Sequence, residues 1–300
     1  MAYLFLIGAV AASVFQTLFA TLYNRKNAAY REITPLYNVI NFGALVVLWG
    51  VLFFTDATFL AAPSFDLGTV FYSVGFSIGF AMACIGLINA LNTGPITLTS
   101  LILQFSCIGS AIWGFFFWDA EPTPLVIVGI LLVCVSLVLC LYKGKEEKGG
   151  AKINTKWIIY VSICFVGNLI CMIVQREQQR RYDGAYGNQL MLVAMIFALI
   201  LSIVLYLRSN RVDSAVLVKR AWFWPVLAGA SNLLLNFFMM KLAVATKAKE
   251  ISTSLIDPTI AVVPLAITTV ISYLAFKEKL RWWQWIGIGV GIGASLLLSL

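Results

Sequence analysis

The sequence contains no histidine, and charged residues make up only 11% of it. Without histidine there is no imidazole to bind a metal ion, relay protons or act as the base of a catalytic triad. The sequence also lacks a glycine-rich phosphate-binding loop followed by lysine, so it is not expected to hydrolyse ATP. All six cysteines lie in apolar segments, where a thiol behaves as a small apolar side chain. The sequence therefore predicts no metal site, no cofactor and no enzyme.

The sequence consists largely of long apolar runs. Hydrophobic residues make up 61% of the sequence, and the mean hydropathy is +0.93. A bilayer core of about 30 Å is crossed by about 20 helical residues. Ten runs have that length: 3–23, 35–54, 68–89, 96–118, 123–142, 157–174, 187–207, 222–240, 251–276 and 282–300. We predict ten transmembrane helices in the lipid bilayer of the plasma membrane.

An internal repeat organises these runs. The sequence Thr-Ser-Leu-Ile at 99–102 recurs at 253–256, an offset of 154, and the first four run starts of each half align at nearly the same offset. We divide the chain into a first five-helix repeat at 1–142, a basic linker at 143–156 and a second repeat at 157–300. Because five is odd, the second repeat must be inverted in the bilayer. The predicted fold is an all-α membrane protein with two inverted five-helix repeats around a central cavity.

Asp257 is an ionisable side chain placed deep within an apolar run. One interpretation makes it the N-cap of a helix that begins at Pro258. The repeat favours the other, because its counterpart Leu103 lies about two turns inside the fourth run. A carboxylate at that depth needs a wet cavity or a partner, so it is a candidate to bind a proton or a cationic substrate.

Uncharged polar side chains in the other runs could line the same cavity. An amide in hydrocarbon is either an interhelical hydrogen-bond partner or a ligand for a solute. Asn38 and Asn41 share one predicted helix face, as do Asn232 and Asn236. The candidate substrate-binding residues are Asp257, Asn232, Asn236, Asn38, Asn41, Tyr37, Gln16, Gln104 and Asn168.

Glycine and tryptophan suggest two further features. The last run carries Gly287, Gly289, Gly291 and Gly293, whose overlapping GxxxG spacings favour close helix packing, either within the chain or in a homodimer. Tryptophans at the run starts, Trp157 among them, are predicted to anchor helices at the water interface.

These features resemble the drug/metabolite transporter superfamily, in its ten-helix EamA-like branch. Pro258, Glu278 and Gly287 match the proline, glutamate and glycine of that family's fourth and fifth helices, whereas the first half has Gln104 in place of the proline. The resemblance covers nearly the whole chain. It implies a central cavity surrounded by helices 1 to 4 and 6 to 9, without naming a substrate, because the superfamily moves many solute classes.

The function expected from these features is secondary active transport. A small polar or cationic metabolite or drug would move by alternating access, with Asp257 coupling transport to protons. One alternative is a uniporter or sugar-type symporter that binds a neutral solute through amides, and another is a membrane scaffold or receptor that transports nothing.

The orientation is predicted from the basic residues between the runs. Fifteen lysine and arginine residues follow the odd-numbered runs and six follow the even-numbered runs. The positive-inside rule then places both termini outside the cytoplasm, whereas the family resemblance implies that both lie inside. Because the net charge of +8 is concentrated in these loops, no nucleic acid partner is expected.

Overall fold

The computed structural model describes residues 2–27, 30, 33–56, 59–60, 64–117, 124–141, 154–209, 214–247, 253–275, 277 and 280–297. For some helical positions, 104 and 253–259 among them, it describes the backbone alone. Most of the predicted linker at 143–156 lies outside the described residues. All regular secondary structure in the described residues is helical, so the prediction of an all-α protein is confirmed.

The helices follow the predicted runs closely. They are α1 (Ala2–Asn27), α2 (Ile33–Phe54), α3 (Leu67–Thr93), α4 (Ile96–Gln104), α5 (Ser106–Phe117), α6 (Pro124–Leu141), α7 (Thr155–Arg181), α8 (Gly187–Arg208), α9 (Ser214–Ala221), α10 (Phe223–Lys247), α11 (Thr253–Leu274) and α12 (Trp282–Leu297). The fourth run is divided at Phe105, whose φ of −72° and ψ of −7° separate α4 from α5. The short helix α9 lies between the seventh and eighth runs.

Several helices have membrane-spanning character. Six described helices are long and apolar enough to cross a membrane: Ala2–Asn27, Thr34–Phe54, Leu67–Thr93, Thr155–Arg181, Gly187–Arg208 and Phe223–Leu242. Shorter apolar stretches of α6 and α11 accompany them. The chain is therefore a multi-pass membrane protein by helix length and composition.

Helices α3 and α7 approach until their backbones touch. A Cβ atom added to Gly79 would lie 2.8 Å from the carbonyl oxygen of Gly167, and one added to Gly86 would lie 2.5 Å from the backbone nitrogen of Cys164. Helix association in lipid depends on close packing, and small residues allow it. These glycines therefore fix α3 against α7 along the middle of both helices.

Helices α1 and α10 make a second extensive contact, through larger side chains. The rings of Phe5 and Phe238 stack with centroids 6.1 Å apart near the start of α1. The rings of Phe19 and Trp224 lie 6.0 Å apart near its other end. Because the start of one helix meets the end of the other, α1 and α10 are antiparallel.

Helices α3 and α7 are also antiparallel. Asn154, which caps the start of α7, donates a hydrogen bond of 3.1 Å to the carbonyl of Thr93 at the end of α3. Tyr182, just after α7, contacts Gly68 at the start of α3. We call the Thr93–Asn154 end of the molecule the basic end and the Gly68–Tyr182 end the acidic end.

The remaining contacts orient α1 relative to these two ends. The side-chain amide of Asn24, near the end of α1, donates to the carbonyl of Ile88 in the last turns of α3. α1 therefore ends at the basic end, together with Arg25 and Lys26, whereas Asp66 lies at the acidic end, beside the start of α3. Since α7 starts at the basic end, α1 and α7 run in opposite directions.

The glycines of α12 divide between two faces. Gly287 and Gly291 face α6, where the hydroxyl of Ser136 donates a hydrogen bond of 2.6 Å to the Gly287 carbonyl. A Cβ atom added to Gly289 or Gly293 would meet no atom within 4 Å. Packing within the chain therefore uses one GxxxG pair and leaves the other on the outer surface.

The prediction for Trp157 is wrong. Its side chain is completely buried, and its indole N–H donates a hydrogen bond of 2.9 Å to the hydroxyl of Thr99. An indole at the end of a helix can as readily fill a gap between helices as sit in the headgroup layer. Trp282, which is 69% exposed, does lie on the surface as expected.

Candidate functional site

A small cavity, partly lined by hydroxyl groups, lies where α1, α4 and α11 meet. It is lined by Thr17 of α1, Ser100 and Leu103 of α4, and Pro264 and Thr268 of α11. The hydroxyl of Thr268 donates to the carbonyl of its own Pro264 at 2.8 Å, and the hydroxyl of Thr17 donates to its own Ser13 at 3.2 Å. Such bonds within one helix let a hydroxyl lie in an apolar environment at little cost.

Ser100 differs from the two threonines. Its hydroxyl is buried and has no hydrogen-bond partner among the described residues. An unpaired buried hydroxyl costs about 1–3 kcal/mol. The cavity therefore holds a polar atom that water or a solute could pair.

A hydrogen-bonded chain joins the predicted residue Asn168 to the cavity wall. The Asn168 amide donates to the Ser106 hydroxyl at 3.1 Å, and that hydroxyl donates to the Leu103 carbonyl at 2.7 Å. Leu103 itself lines the cavity. Asn168 of α7 is thus connected through Ser106 to Leu103, a residue of the cavity lining, which places α7 beside α4 and α5.

The backbone of α11 places Asp257 on the cavity face. The helix begins at Thr253, so Asp257 lies in its second turn rather than at its N-cap. Seven positions separate Asp257 from Pro264, and eleven separate it from Thr268, which puts all three on one face of a helix with 3.6 residues per turn. Asp257 lies about 10 Å along α11 from Pro264, towards the acidic end. Its side chain lies outside the described residues.

The predicted amides of α2 and α10 lie at a different contact. A Cβ atom added to Gly229 of α10 would lie 3.1 Å from both the backbone and the side-chain oxygen of Asn41, so the two helices meet closely there. One turn further along α10, Asn236 donates to the carbonyl of Asn232 at 2.9 Å and to its side-chain oxygen at 3.2 Å. This pair is therefore bonded within its own helix.

Tyr37 and Asn38 lie at the basic end of α2. The ring of Tyr37 lies 5.1 Å from that of Tyr23 and is buried with it in an apolar cluster that includes Ile88 and Ala228. The side-chain oxygen of Asn38 is buried without a partner among the described residues. Tyr37 thus packs as a core residue, whereas Asn38 keeps a free acceptor.

The last two predicted residues are the glutamines. Gln16 is half-buried on α1, next to the cavity residue Thr17. Gln104 ends α4, next to the cavity residue Leu103, but its side chain lies outside the described residues. Both are sequence neighbours of the cavity lining.

Sequence reasoning missed the residues that line the cavity. It selected amides and a carboxylate and passed over Thr17, Ser100 and Thr268, because single hydroxyls are common in transmembrane helices. One available signal was the repeated Thr-Ser-Leu-Ile sequence, which contains Ser100. With the repeat offset of 154, the cavity-lining residues Ser100 and Leu103 correspond to Ser254 and Asp257 in the second half of the sequence.

A second polar assembly holds the acidic end, and we call it the polar clasp: Asp56, Asp66, Tyr182, Asn188 and Gln189. The amide of Gln189 pairs in both directions with the backbone of Asp66, accepting from its N–H at 3.0 Å and donating to its carbonyl at 2.7 Å. The amide of Asn188 donates to the carboxylate of Asp56. The clasp therefore joins the segment between α2 and α3 to the start of α8.

Hydrogen bonds within the clasp shift two pKa values. Loss of solvent acts to raise the pKa of Asp66, but hydrogen bonds from Thr69, Tyr182 and Gly68 outweigh it and hold that pKa below its usual value. The bond to Asp66, with partial loss of solvent, raises the pKa of Tyr182. The clasp thus favours an ionised Asp66 and a protonated Tyr182.

The described part of the chain contains no cluster of side chains suited to bind a metal ion. No group of three or more histidine, cysteine, aspartate or glutamate side chains comes together there.

Comparison with known proteins supports the fold but names no function. No family model and no curated protein matches the sequence. Among solved structures, the chain is similar to one described only as a crystal structure of a protein, with a TM-score of 0.59 and 13% sequence identity. The match covers 99% of this chain and 95% of that chain. At this identity the likeness shows that the helix arrangement recurs over nearly the whole chain, and nothing more.

Proposed function

We propose that this chain is a secondary active transporter that moves a small polar or cationic solute by alternating access across the plasma membrane. The observation that carries the proposal is the polar cavity between α1, α4 and α11, with Asp257 on the same face of α11 as two of its lining residues. A polar site between membrane helices, with an ionisable residue on the same helix face, is the arrangement that such transporters need.

The pattern of helix contacts supports two inverted repeats of five spans. Replacing each helix by its counterpart in the other half turns the contact of α3 with α7 into that of α10 with α1. It likewise turns the contact of α3 with α8 into that of α10 with α2. The opposite directions of α1 and α7 fit the same symmetry. In such a repeat, one site can open to either side in turn.

Proton coupling is assigned to Asp257 in this proposal. A carboxylate that shares one helix face with the cavity can be neutralised by either a proton or a cationic solute, so the two compete. Transport of a cation in one direction would then be driven by protons moving in the other. This coupling accords with the drug/metabolite transporter resemblance, which otherwise leaves the substrate open.

The test is solute uptake into liposomes containing the purified protein, with and without an imposed pH gradient. A panel of amines, amino acids and sugars supplies the candidate substrates. We expect uptake of at least one to depend on the gradient, and Asp257→Asn to abolish that dependence. The matched control is Asp183→Asn, because Asp183 is an exposed carboxylate in the turn after α7 at a φ of 50°, which asparagine also adopts. Gradient-dependent uptake in Asp257→Asn would contradict the coupling role.

The hydroxyl lining favours a second candidate, a uniporter for a neutral solute. Ser100, Thr17 and Thr268 can hydrogen-bond an uncharged group without help from a carboxylate. This candidate predicts a rate of solute uptake that does not depend on the pH gradient. The rate should be unchanged in Asp257→Asn and lower in Ser100→Ala.

We also propose that a homodimer, if the chain forms one, uses the outer face of α12. Gly289 and Gly293 are four residues apart on that face and have open space around them, whereas Gly287 and Gly291 contact residues of the same chain. The outer pair is thus the part of the predicted glycine face that remains for a second copy.

A further inference from the structure

Positive charge collects at the basic end of the molecule. Exposed cationic side chains lie there at the ends of α1, α8 and α9 and in the first turn of α7, among them Arg25, Lys26, Lys156, Arg208, Lys219 and Arg220. The acidic residues whose side chains the structure describes lie at the other end: Asp56, Asp66, Glu177 and Asp183. The charged side chains described at the basic end are therefore all positive.

The short helix α9 lies across this end. It connects the end of α8, which starts at the polar clasp, to the start of α10, where Trp224 lies beside Lys26 of α1. With eight residues it is about 12 Å long, too short to cross a bilayer. Its last residue, Ala221, packs in the same apolar cluster as Ala20 and Tyr23 of α1. The cations that end α9 therefore lie close to those that end α1.

The outer face of α9 combines charge with an apolar side chain. The buried side chains of this helix are Ser214, Leu217 and Ala221. Val216, which is 51% exposed, lies three residues before Lys219 and four before Arg220, so these three share the opposite face. A valine flanked by two cations fits the boundary of a membrane, because its methyl groups can enter the acyl layer while the long basic side chains reach the phosphates.

Aromatic side chains adjoin these cations. Trp222 is 52% exposed and Phe223 is 37% exposed, directly before a helix long enough to span the membrane. The ammonium of Lys26 lies 4.8 Å from the centre of the Trp224 ring. Exposed tryptophan at the start of a spanning helix is typical of the layer between acyl chains and headgroups. Cations and exposed apolar groups in one place fit a lipid better than a water-soluble anion.

We call Arg25, Lys26, Val216, Lys219, Arg220 and Trp222 the α9 surface. We propose that the α9 surface binds the headgroups of anionic phospholipids in the leaflet at the basic end. Attraction to an anionic membrane surface favours binding about fivefold for each lysine or arginine near it. The negative surface potential belongs to the cytoplasmic leaflet, so the proposal places the basic end on the cytoplasmic side. The positive-inside rule assigns the loop after the first run to the same side.

The test measures Tm of the purified full-length protein in neutral detergent micelles with three added probes: phosphatidylglycerol, phosphatidylcholine and glycerol 3-phosphate. We expect a saturable rise in Tm with phosphatidylglycerol that weakens as salt is added, because salt screens exposed charges. Phosphatidylcholine has no net charge and glycerol 3-phosphate has no acyl chains, so neither should reproduce this rise. An equal rise with phosphatidylcholine would show that any lipid suffices, and an equal rise with glycerol 3-phosphate would show an anion site. Either result, or no rise with phosphatidylglycerol, would overturn the proposal.

Paired substitutions locate the lipid on the molecule. The double variant Lys219→Gln, Arg220→Gln should raise the phosphatidylglycerol concentration at the half-maximal Tm shift about 10- to 30-fold. The matched control is Arg180→Gln, Arg181→Gln, because these are also adjacent exposed arginines in the last turn of a helix, but at the acidic end. It should leave that concentration unchanged, whatever its effect on Tm without lipid.

A second variant separates charge from local structure. Lys219→Arg, Arg220→Lys exchanges the two side chains and keeps both charges, so it should bind phosphatidylglycerol as the wild type does. An equal loss of affinity in the α9 pair and the control pair, no loss in the α9 pair, or a large loss in the exchanged variant would contradict the inference.

This inference does not depend on the proposed function. Lipid binding that requires Lys219 and Arg220, in a protein that moves no solute in liposomes, would leave the α9 surface standing and remove the transporter. Solute uptake with no preference for phosphatidylglycerol would do the reverse.

Discussion

The acidic end and the basic end of the molecule are held together by different chemistry. At the acidic end, the polar clasp hydrogen-bonds the segment between α2 and α3 to the start of α8, and the Gln189 amide pairs with both backbone groups of Asp66. At the basic end, the rings of Tyr23 and Tyr37 pack against each other in an apolar cluster that includes Ile88 and Ala228.

The two ends differ in the kind of interaction that must be broken to separate the helices there. A hydrogen bond of the clasp that opens to water is replaced by one to water, which keeps the net cost of breaking it small. Rings packed against Ile88 and Ala228 must leave an apolar environment to separate. Separating the helices at the basic end should therefore cost more than separating them at the acidic end.

The largest effect is expected from adding one methyl group at the basic end. A Cβ atom at Gly94 would lie 2.2 Å from the indole ring of Trp157, which is completely buried and bonded to Thr99. Because this ring has no room to move, Gly94→Ala should destabilise the protein by about 2–3 kcal/mol, measured by unfolding in detergent micelles. The control is Gly43→Ala, where the added atom meets nothing within 4 Å. An unchanged free energy of unfolding in Gly94→Ala would show that the basic end is loosely packed.

The same substitution at the acidic end should have a smaller effect. A Cβ atom at Gly68 would lie 2.0 Å from the phenol oxygen of Tyr182, the outer end of a half-buried side chain. That side chain can swing away, so Gly68→Ala should cost about 1 kcal/mol in the same unfolding assay. In a Tyr182→Phe background the clash is reduced and the cost should largely vanish. A cost equal to that of Gly94→Ala would remove the contrast between the two ends.

The smallest effect is expected from the single hydrogen bond between Tyr182 and Asp66. Because the folded protein holds the pKa of Asp66 below its usual value, bonds to this carboxylate stabilise the fold above about pH 4 and are lost as the pH falls further. The raised pKa of Tyr182 means that its bond is lost only as the pH rises beyond about 10.

Tyr182→Phe should therefore lower Tm slightly, by an amount that is greatest between about pH 4 and 10 and shrinks outside that range. The measurement is Tm against pH for both proteins. A difference that stays constant down to pH 3 would show that Asp66 does not receive this bond.

Hydropathy and the repeat predicted the course of the helices well. The seventh run was predicted to begin at Gly187, and α8 does begin there. The break at Phe105 was not predicted, since no proline or glycine marks it in the sequence. Trp157 was misplaced because the sequence cannot tell a helix end in the headgroup layer from one covered by Thr99 of a neighbouring helix.

The site was predicted less completely than the fold. Amides stand out in an apolar run, and Asn168 and Asn38 were found in this way. The cavity, however, is formed by Thr17, Ser100 and Thr268, whose hydroxyls matter only because three helices bring them together. The meeting of these three helices depends on contacts between residues far apart in the sequence, which a single sequence does not reveal.

The glycine faces of α3 have a consequence for how the chain is made. Gly79 and Gly86 pack on α7, which is synthesised only after α1 to α6. α1 depends in the same way on α10. During synthesis, the first half must therefore sit in the bilayer with its closest-packing surfaces still covered by lipid. Because each half supplies the closest-packing partner of the other, we expect two fragments separated at the linker to become stable only when they associate.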